Sequence, residues 1–212
     1  VNISVDSSTY FNPLDFKPDK STDIPPYVAK AEFVLSLCEQ IMKKENVLPG
    51  DRSLIDRALR SIYKPLIESK YTAPCPTIKD LWAALNSQGD NRSKELALAL
   101  EIFATGSMQV FAQPTNVDMS NRIMLFDIFD LGSQLKTVGM LVMLDAILNR
   151  VIENHKRGRR TWIYIDEIYL FFANEYSSNF LEESWKRFRK KNAAATGITQ
   201  NVTDCLRSPT AK

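Results

Sequence analysis

The sequence predicts an α/β fold in which a parallel sheet is joined to an all-helical subdomain, and two observations lead to it. Short apolar runs of strand length alternate with helical stretches in the second half of the chain. Residues 25–110, in contrast, carry amphipathic helical stripes and no convincing strand. We therefore expect an α/β core formed by residues 1–24 and 111–212, with an all-α subdomain at 25–110 inserted in it.

In the first half, the alternation of apolar and polar residues over Val1–Val5 predicts a strand, and Asn12-Pro13-Leu14-Asp15 then interrupts regular structure. Thr77 and Asp80 have the spacing of a capping box, with Asp in place of the usual Glu. Apolar residues at three- and four-residue spacing predict four helices: Pro26 to about Lys44, Ser53–Tyr63, one that begins at Thr77, and Ser93–Phe103.

In the second half, strands and helices alternate, which is typical of a parallel sheet with helices on its faces. The predicted strands are Arg122–Ile128, Thr161–Ile165 and Ala193–Thr199. The predicted helices are Gln134–Glu153, Ser178–Lys191 and a last one that begins near Val202.

Composition excludes several classes of protein. With 27 basic and 25 acidic residues, the net charge of +2 gives no argument for a nucleic-acid or membrane partner. Three cysteines without a CxxC pair, and a single histidine, do not make a zinc site or a disulfide framework, so we expect a reducing compartment. The longest apolar runs are far shorter than the roughly 20 residues that a membrane-spanning helix needs. Because the chain opens on Val1 without Met, we expect it to be part of a longer protein.

The strongest chemical signal is the run Trp162–Glu167, a hydrophobic strand that ends in two adjacent carboxylates, Asp166 and Glu167. Ligands bind at the carboxyl ends of strands in a parallel sheet. In P-loop ATPases the Asp at this point, in the motif called Walker B, holds Mg²⁺ through water, and the Glu polarises the attacking water. An ordinary strand end followed by a helix cap remains an alternative.

Polar residues also follow the next predicted strand. Thr199, Gln200 and Asn201 would lie at the same edge of the sheet as Asp166. Gln200 there could hydrogen-bond both a γ-phosphate and a water, and Thr199 could contact the nucleotide. Capping of the next helix by Thr199 or Asn201 is the alternative.

Two basic segments flank these strands. The helix end Trp185–Lys191 carries five cations in seven residues, and Arg189, then Arg187, are our candidates for an arginine finger that reaches a neighbouring subunit's γ-phosphate. A solvated helical face is the alternative. The run His155–Arg160 precedes the Trp162 strand, at the end away from Asp166, and suggests a solubilising loop or a weak anion contact.

One motif is missing from the sequence. None of the seven glycines begins a G-x-x-x-x-G-K-[ST] run, so the chain has no Walker A loop to cradle phosphates. We therefore expect these 212 residues alone to be inactive as an ATPase.

The order of these motifs resembles the large cytoplasmic ATPases of type IV secretion and conjugation systems, the VirB-four family, over nearly the whole chain. Trp162–Glu167 resembles the family's Walker B strand, Arg187–Lys191 its basic segment, and Ile198–Asp204 its Thr-Gln motif. Other stretches similar to family segments are Ser7–Asp15, Leu125–Ile128 with Leu131, and Leu206–Ala211. Gly106-Ser107, Phe111 and Pro114–Asp118 are similar to members from conjugative transposons and Gram-positive plasmids.

The resemblance implies a RecA-like P-loop NTPase core of the HerA-FtsK type. It implies ATP and Mg²⁺ as cofactors of the full-length protein, with Asp166, Glu167, Gln200, Thr199 and the two arginines as site residues. It also implies a bacterial cytoplasmic protein at the inner face of the membrane, assembled as a homo-oligomer, often a hexamer, with other secretion components and with DNA or a relaxase complex.

Two other functions stay open from the sequence. A DNA-translocating coupling protein or HerA-like translocase would share the same superfamily and would bind DNA in a salt-dependent way. A non-catalytic assembly scaffold would retain the α/β core, and its Asp166 and Glu167 could be changed without loss of transfer.

Overall fold

A computed structural model describes residues 1–4, 6–16, 18, 25–42, 46–106, 109–173 and 175–206. Val5, Lys44, Ser107 and the Arg207–Ala211 segment, which carry parts of the predictions above, lie outside these residues. The chain divides into two compact units, Val1–Leu131 (unit 1) and Gly132–Lys212 (unit 2). The placement of the all-α subdomain as an insertion stays a prediction.

Unit 1 is a helical bundle. Its helices are α1 (Pro26–Met42), α2 (Asp51–Glu68), α3 (Ile78–Ser87) and α4 (Asn91–Ala104). Helix α3 packs on α2 and α4, and α1 packs on the same two helices. The predicted capping box is confirmed, since the Asp80 carboxylate accepts a hydrogen bond of 2.7 Å from the Thr77 amide. Helix α2 runs past its predicted end at Tyr63 and includes Pro65, because the next turn buries Leu66 in the core.

The Asn-Pro-Leu-Asp segment joins the N-terminal loop to this bundle. The buried side chain of Asn12 donates to the Pro76 carbonyl at 2.8 Å and to Asp15 at 3.0 Å, and it accepts from the Leu14 amide. The carbonyl of Leu14 accepts a hydrogen bond from the buried Tyr63 hydroxyl of α2. These bonds satisfy polar groups that would otherwise be costly to bury. The similarity of residues 7–15 to a family segment therefore coincides with a structural role.

A buried ion pair fixes the starts of α2 and α4. Asp51 is fully buried, and Arg92 reaches it with two hydrogen bonds of 2.7 and 2.5 Å. Arg92 also donates to the Asn46 carbonyl at 2.7 Å. Burial would raise the pKa of Asp51, but the hydrogen bonds from Arg92 and the Leu48 amide outweigh it and hold this pKa below its ordinary value.

Unit 2 contains the α/β part of the molecule. Its elements are α5 (Gly132–Lys156), β1 (Thr161–Ile165), α6 (Glu175–Lys190), β2 (Ala193–Gly197) and α7 (Val202–Leu206). Strands β1 and β2 pair in parallel from Thr161 opposite Ala193 to Ile165 opposite Gly197. Helix α6 connects them and packs on α5 and β2, burying Leu181, Ser184 and Phe188. The predicted strand–helix–strand order is therefore confirmed here.

The predicted strand Arg122–Ile128 is wrong. Within it only Asp127 is bridged, in parallel, to Asn2, and Ile123 and Leu125 are 87% and 75% exposed. The strand expected over Val1–Val5 is likewise reduced, in the residues described, to that one bridge. A strand persists only where successive backbone groups find ladder partners, and a single short neighbour does not supply them.

The burial expected for β1 is also wrong in part. Ile163 is buried, but Trp162 and Tyr164 on the opposite face are 62% and 68% exposed. Alternate residues of a strand face opposite sides, so β1 is buried on the face that carries Ile163 and open on the other. No helix of the part of the chain that the structure describes is long and apolar enough to cross a membrane.

Candidate functional site

The carboxyl ends of β1 and β2 lie side by side, and they bring together the residues that the sequence selected. The register sets Ile165 opposite Gly197. Beyond it, the Ile198 amide donates to the Ile165 carbonyl at 2.8 Å, and the Ile168 amide donates back to the Ile198 carbonyl at 3.1 Å. Asp166 and Glu167 therefore lie directly beside the segment that begins at Ile198. We call this place the carboxyl edge.

Asp166 and Glu167 stand in an unusual turn. The Asp166 side chain is exposed and accepts a hydrogen bond of 2.8 Å from the Glu167 amide. Glu167 has a φ of +49°, a left-handed conformation that a residue with a Cβ adopts at a cost of roughly 1 kcal/mol or more. Such strained residues concentrate at functional sites, because the surrounding structure holds them in a geometry that function requires.

Gly197 makes room for this turn. A Cβ at this position would lie 2.5 Å from Cδ1 and 3.2 Å from Cγ2 of Ile168, which begins the 3-10 turn Ile168–Ala173. The glycine therefore allows the residue after Glu167 to lie against the end of β2. The sequence analysis gave Gly197 no role. A glycine at the end of a strand, just before polar residues, is a sign that another segment approaches the backbone closely there.

Lys136 is the second residue that the sequence analysis missed. It lies in the first turns of α5, and its Nζ is 3.8 Å from Oε2 of Glu167. Helix α5 also contacts the segment Ile168–Ala173 that follows Glu167, so this pair sets the beginning of α5 at the carboxyl edge. No local pattern marks Lys136, since this pair joins residues that are 31 positions apart.

Thr199, Gln200 and Asn201 lie at the same edge and have different local roles. The Thr199 hydroxyl donates to the Asn201 carbonyl at 3.1 Å, and the Asn201 side chain accepts from the Thr203 amide at 3.0 Å. Asn201 thus caps α7, which was the structural alternative for this motif. Gln200 is exposed between them.

The exposed carboxylate of Asp166 at this edge is a ligand type that Mg²⁺ accepts. No group of three or more His, Cys, Asp or Glu side chains that could hold a metal ion occurs among the described residues. Mg²⁺ is commonly bound through one or two carboxylates and completes its shell with water and phosphate oxygens. Asp166 supplies one such carboxylate, whereas a closed metal site made only of protein side chains would need more ligands.

Comparison with known proteins places this geometry in a wider context. The structure of VirB4 of Thermoanaerobacter pseudethanolicus superposes with a TM-score of 0.75 over 92% of this chain and 77% of that chain. The chain has the fold of VirB4. The sequences are 20% identical, so the likeness concerns the fold. No protein-family model and no curated protein matches the sequence.

The VirB4 fold confirms the resemblance seen in the sequence.

The two candidates for the arginine finger, Arg187 and Arg189, lie at one end of the sheet. Arg187 and Arg189 are exposed near the end of α6, which leads into the start of β2. They therefore lie at the amino end of the sheet, roughly 16 Å of strand away from Asp166. The structure does not bring them together with Glu167 inside one chain, and only a contact between subunits could do so.

Proposed function

We propose that this chain is the Walker B part of a RecA-like ATPase domain in a type IV secretion or conjugation motor. The observation that carries the proposal is the carboxyl edge, where Asp166 and Glu167 lie beside Thr199 and Gln200 in a chain with the VirB4 fold. In the complete protein, such a motor powers DNA or protein transfer and the assembly of a pilus or channel.

Each residue of the carboxyl edge has a proposed task. Asp166 holds Mg²⁺ through water, and the bound ion neutralises phosphate charge. Glu167 orients and polarises the attacking water. Thr199 contacts the nucleotide. Gln200 hydrogen-bonds the terminal phosphate and the water, and so reports the nucleotide state to α7.

Lys136 positions Glu167 in this proposal. At 3.8 Å and with both side chains partly exposed, the ion pair is loose, so it restrains the carboxylate without removing it from water. Lys136 therefore acts through Glu167 and is a positioning residue.

The phosphate-binding loop is proposed to lie in the complete protein, outside these 212 residues. Without a Walker A lysine the carboxyl edge has no means to hold the phosphates, so the 212-residue chain does not hydrolyse ATP by itself. Assembly is proposed to be a homo-oligomer, in the manner of a hexamer, located with other secretion components at the inner face of the bacterial membrane. In it, Arg189 or Arg187 reaches the γ-phosphate of a neighbouring subunit.

The test is ATP turnover by the complete protein, with Glu167→Gln and Arg189→Ala as separate variants. Each variant is expected to lose at least about 100-fold in turnover, because general-base and transition-state charge contributions have that size. Mixing the two inactive variants should restore part of the activity, since some interfaces then join an intact Glu167 to an intact Arg189. Arg52→Ala, a change on the exposed side of α2 in unit 1, is the control and should keep full activity.

The outcomes separate the proposal from its alternatives. Full activity of Glu167→Gln would exclude the proposed role of this carboxylate. Absence of any ATP turnover in the complete wild-type protein, together with normal transfer by an Asp166→Asn, Glu167→Gln double variant, would favour an assembly scaffold. Turnover that is stimulated many-fold by duplex DNA would instead favour a DNA-translocating enzyme of the HerA type.

A further inference from the structure

The left-handed conformation of Glu167 is held by hydrogen bonds on both sides of the residue. On one side, the Glu167 amide donates to the Asp166 carboxylate at 2.8 Å. On the other, the Ile168 amide donates to the Ile198 carbonyl at 3.1 Å, and the Leu170 amide donates to the Glu167 carbonyl at 3.0 Å. A strained residue persists only where several surrounding contacts fix it together. Ile168 is therefore one of the residues that set the backbone from which the Glu167 carboxylate projects.

The side chain of Ile168 adds a packing contact to this backbone bond. It lies against Gly197, the last residue of β2, where a Cβ would stand 2.5 Å from its Cδ1 and 3.2 Å from its Cγ2. Two carbon atoms attract each other at roughly 3.5 to 4.0 Å and repel at much shorter distances. Any side chain at position 197 would therefore displace Ile168 from the end of β2.

The segment that begins at Ile168 is fixed at its far end as well. Residues Ile168–Ala173 form a 3-10 turn, and within it Phe171 is buried. The buried hydroxyl of Ser177, near the start of α6, donates to the Phe171 carbonyl. The segment also contacts α5, α6 and α7. Because the segment is anchored in this way, a shift of Ile168 is expected to reach Glu167 and not to be absorbed by a loose loop.

The same contacts join Glu167 to the polar segment that follows β2. The Ile198 amide donates to the Ile165 carbonyl at 2.8 Å, and the Ile198 carbonyl accepts from the Ile168 amide. One residue of the second strand end thus bonds to the chain before and after the Asp166–Glu167 turn. Thr199 and Gln200 follow Ile198 directly. The spacing between the two halves of the carboxyl edge is therefore set at Gly197 and Ile198.

We propose that Ile168 is a positioning residue for the ATP hydrolysis proposed above, and that Gly197 is required because it admits Ile168. The inference rests on that proposed function and adds to it the structural cause of the Glu167 geometry. Ile168 contacts no reacting atom and acts through Glu167. The effect on rate can be large, because a misplacement of about 1 Å can cost roughly 100-fold.

The test measures ATP turnover by the complete protein. Gly197→Ala should lower kcat about tenfold, because its Cβ displaces Ile168 and with it the carboxylate that activates water. KM for ATP should stay within about twofold, since the loop proposed to bind the phosphates is not changed. The double variant Gly197→Ala, Ile168→Val lacks Cδ1, the closest atom, and should recover kcat to within about threefold of the wild type. Gly50→Ala is the matched control and should keep both constants, because a Cβ there meets nothing within 4 Å.

A second background separates positioning from loss of folding. In Glu167→Gln the carboxylate that Ile168 positions is absent, so the addition of Gly197→Ala should change the residual turnover by less than about twofold. A variant that only unfolds more readily would lose turnover equally in both backgrounds. If Gly197→Ala does not accumulate as a folded protein, Ile168→Ala takes its place, because it removes the same contact without crowding. It should lower kcat about threefold or more at unchanged KM.

The outcomes separate this inference from the proposed function. A wild-type kcat in Gly197→Ala and Ile168→Ala, with Glu167→Gln inactive, would overturn the inference alone. An equal loss from Gly197→Ala with and without the Glu167 carboxylate would also overturn it, since the glycine would then act only on folding. Full turnover of Glu167→Gln would overturn the proposed function and the inference with it.

Discussion

Two ion pairs, one in each unit of the chain, differ in almost every physical respect. In unit 1, Asp51 is fully buried and Arg92 donates two hydrogen bonds to its carboxylate. In unit 2, Lys136 and Glu167 are partly exposed and their charged atoms are 3.8 Å apart. The hydrogen bonds of the first pair fix both side chains and join the starts of α2 and α4, whereas the second pair leaves the Glu167 carboxylate accessible to solvent. The contrast teaches that the charged pair of unit 1 is part of the folded core, whereas the charged pair of unit 2 stays in contact with solvent.

Breaking the buried pair should have the largest effect on stability. Arg92→Ala removes the partner of a buried carboxylate, which typically costs about 3 kcal/mol or more. Urea unfolding of unit 1 can be followed by Trp82 alone, in a background where the tryptophans of unit 2, Trp162 and Trp185, are replaced by Phe. Arg60→Ala, which breaks an exposed pair with Asp56, is the control and should change the stability by less than about 0.5 kcal/mol. A similar loss of stability in both variants would contradict the expected difference between the buried and the exposed ion pair.

Acidification should produce a smaller loss in the same unit. Because the native pKa of Asp51 is lowered, its contribution to stability is complete above the unfolded pKa, about 3.9, and is lost as the pH falls through the lower native value. Protonation removes the charge but leaves an oxygen that still accepts from the Leu48 amide, so the loss should be smaller than that in Arg92→Ala. Unfolding free energies measured between pH 6 and pH 2 should show this fall. In the Asp51→Asn variant, the part of this pH-dependent loss that comes from Asp51 should disappear. If the unfolding free energy of the variant depended on pH as that of the wild type does, Asp51 would not be the group responsible.

Crowding the carboxyl edge should have an effect of intermediate size in unit 2. Gly197→Ala places a Cβ against Ile168, and overpacking of this kind costs about 1 kcal/mol or more. The loss should be followed in a Trp82→Phe background, where fluorescence reports on unit 2. The double variant Gly197→Ala, Ile168→Val removes Cδ1, the closest atom, and should recover part of the loss. No recovery would mean that the Ile168 contact is not the cause.

Relief of backbone strain should give the smallest change, and a gain. Glu167→Gly removes the left-handed strain and should stabilise unit 2 by roughly 0.5 kcal/mol, even though it deletes a charged partner of Lys136. Asn192→Gly is the matched control, because Asn192 has a similar φ of +57° but belongs to a residue type that tolerates this conformation. It should change the stability less. If Glu167→Gly destabilised the unit by 1 kcal/mol or more, Glu167 would be a structural residue.

Much of unit 2 could be predicted from the sequence because its signals are local. The prediction of the strand Thr161–Ile165 was correct at both ends. A short apolar run between a basic turn and two carboxylates is too short for a buried helix, so a strand is the structure it indicates. The parallel pairing followed from the helix that separates the two strands, and it put the two polar strand ends at one edge. The chemical roles of Asp166, Glu167, Thr199, Gln200 and the arginines stay predictions.

Other features depend on partners far away in the chain and had no local signal. The run Arg122–Ile128 has the composition of a strand, but a strand also needs a neighbouring strand, and among the described residues only Asn2 forms a bridge with it. The same limitation applies to Asp51 with Arg92 and to Lys136 with Glu167.

By itself the sequence determined the helices, the two paired strands and the acidic end of β1, because hydrophobic periodicity and capping act within a few residues. The tertiary structure alone decided which charges meet. It buried Asp51 on Arg92, set Lys136 against Glu167, and gathered two separate basic segments at one end of the sheet. The physical reason is that electrostatic contacts depend on distance in space, and a crossover connection joins residues that are dozens of positions apart in the chain.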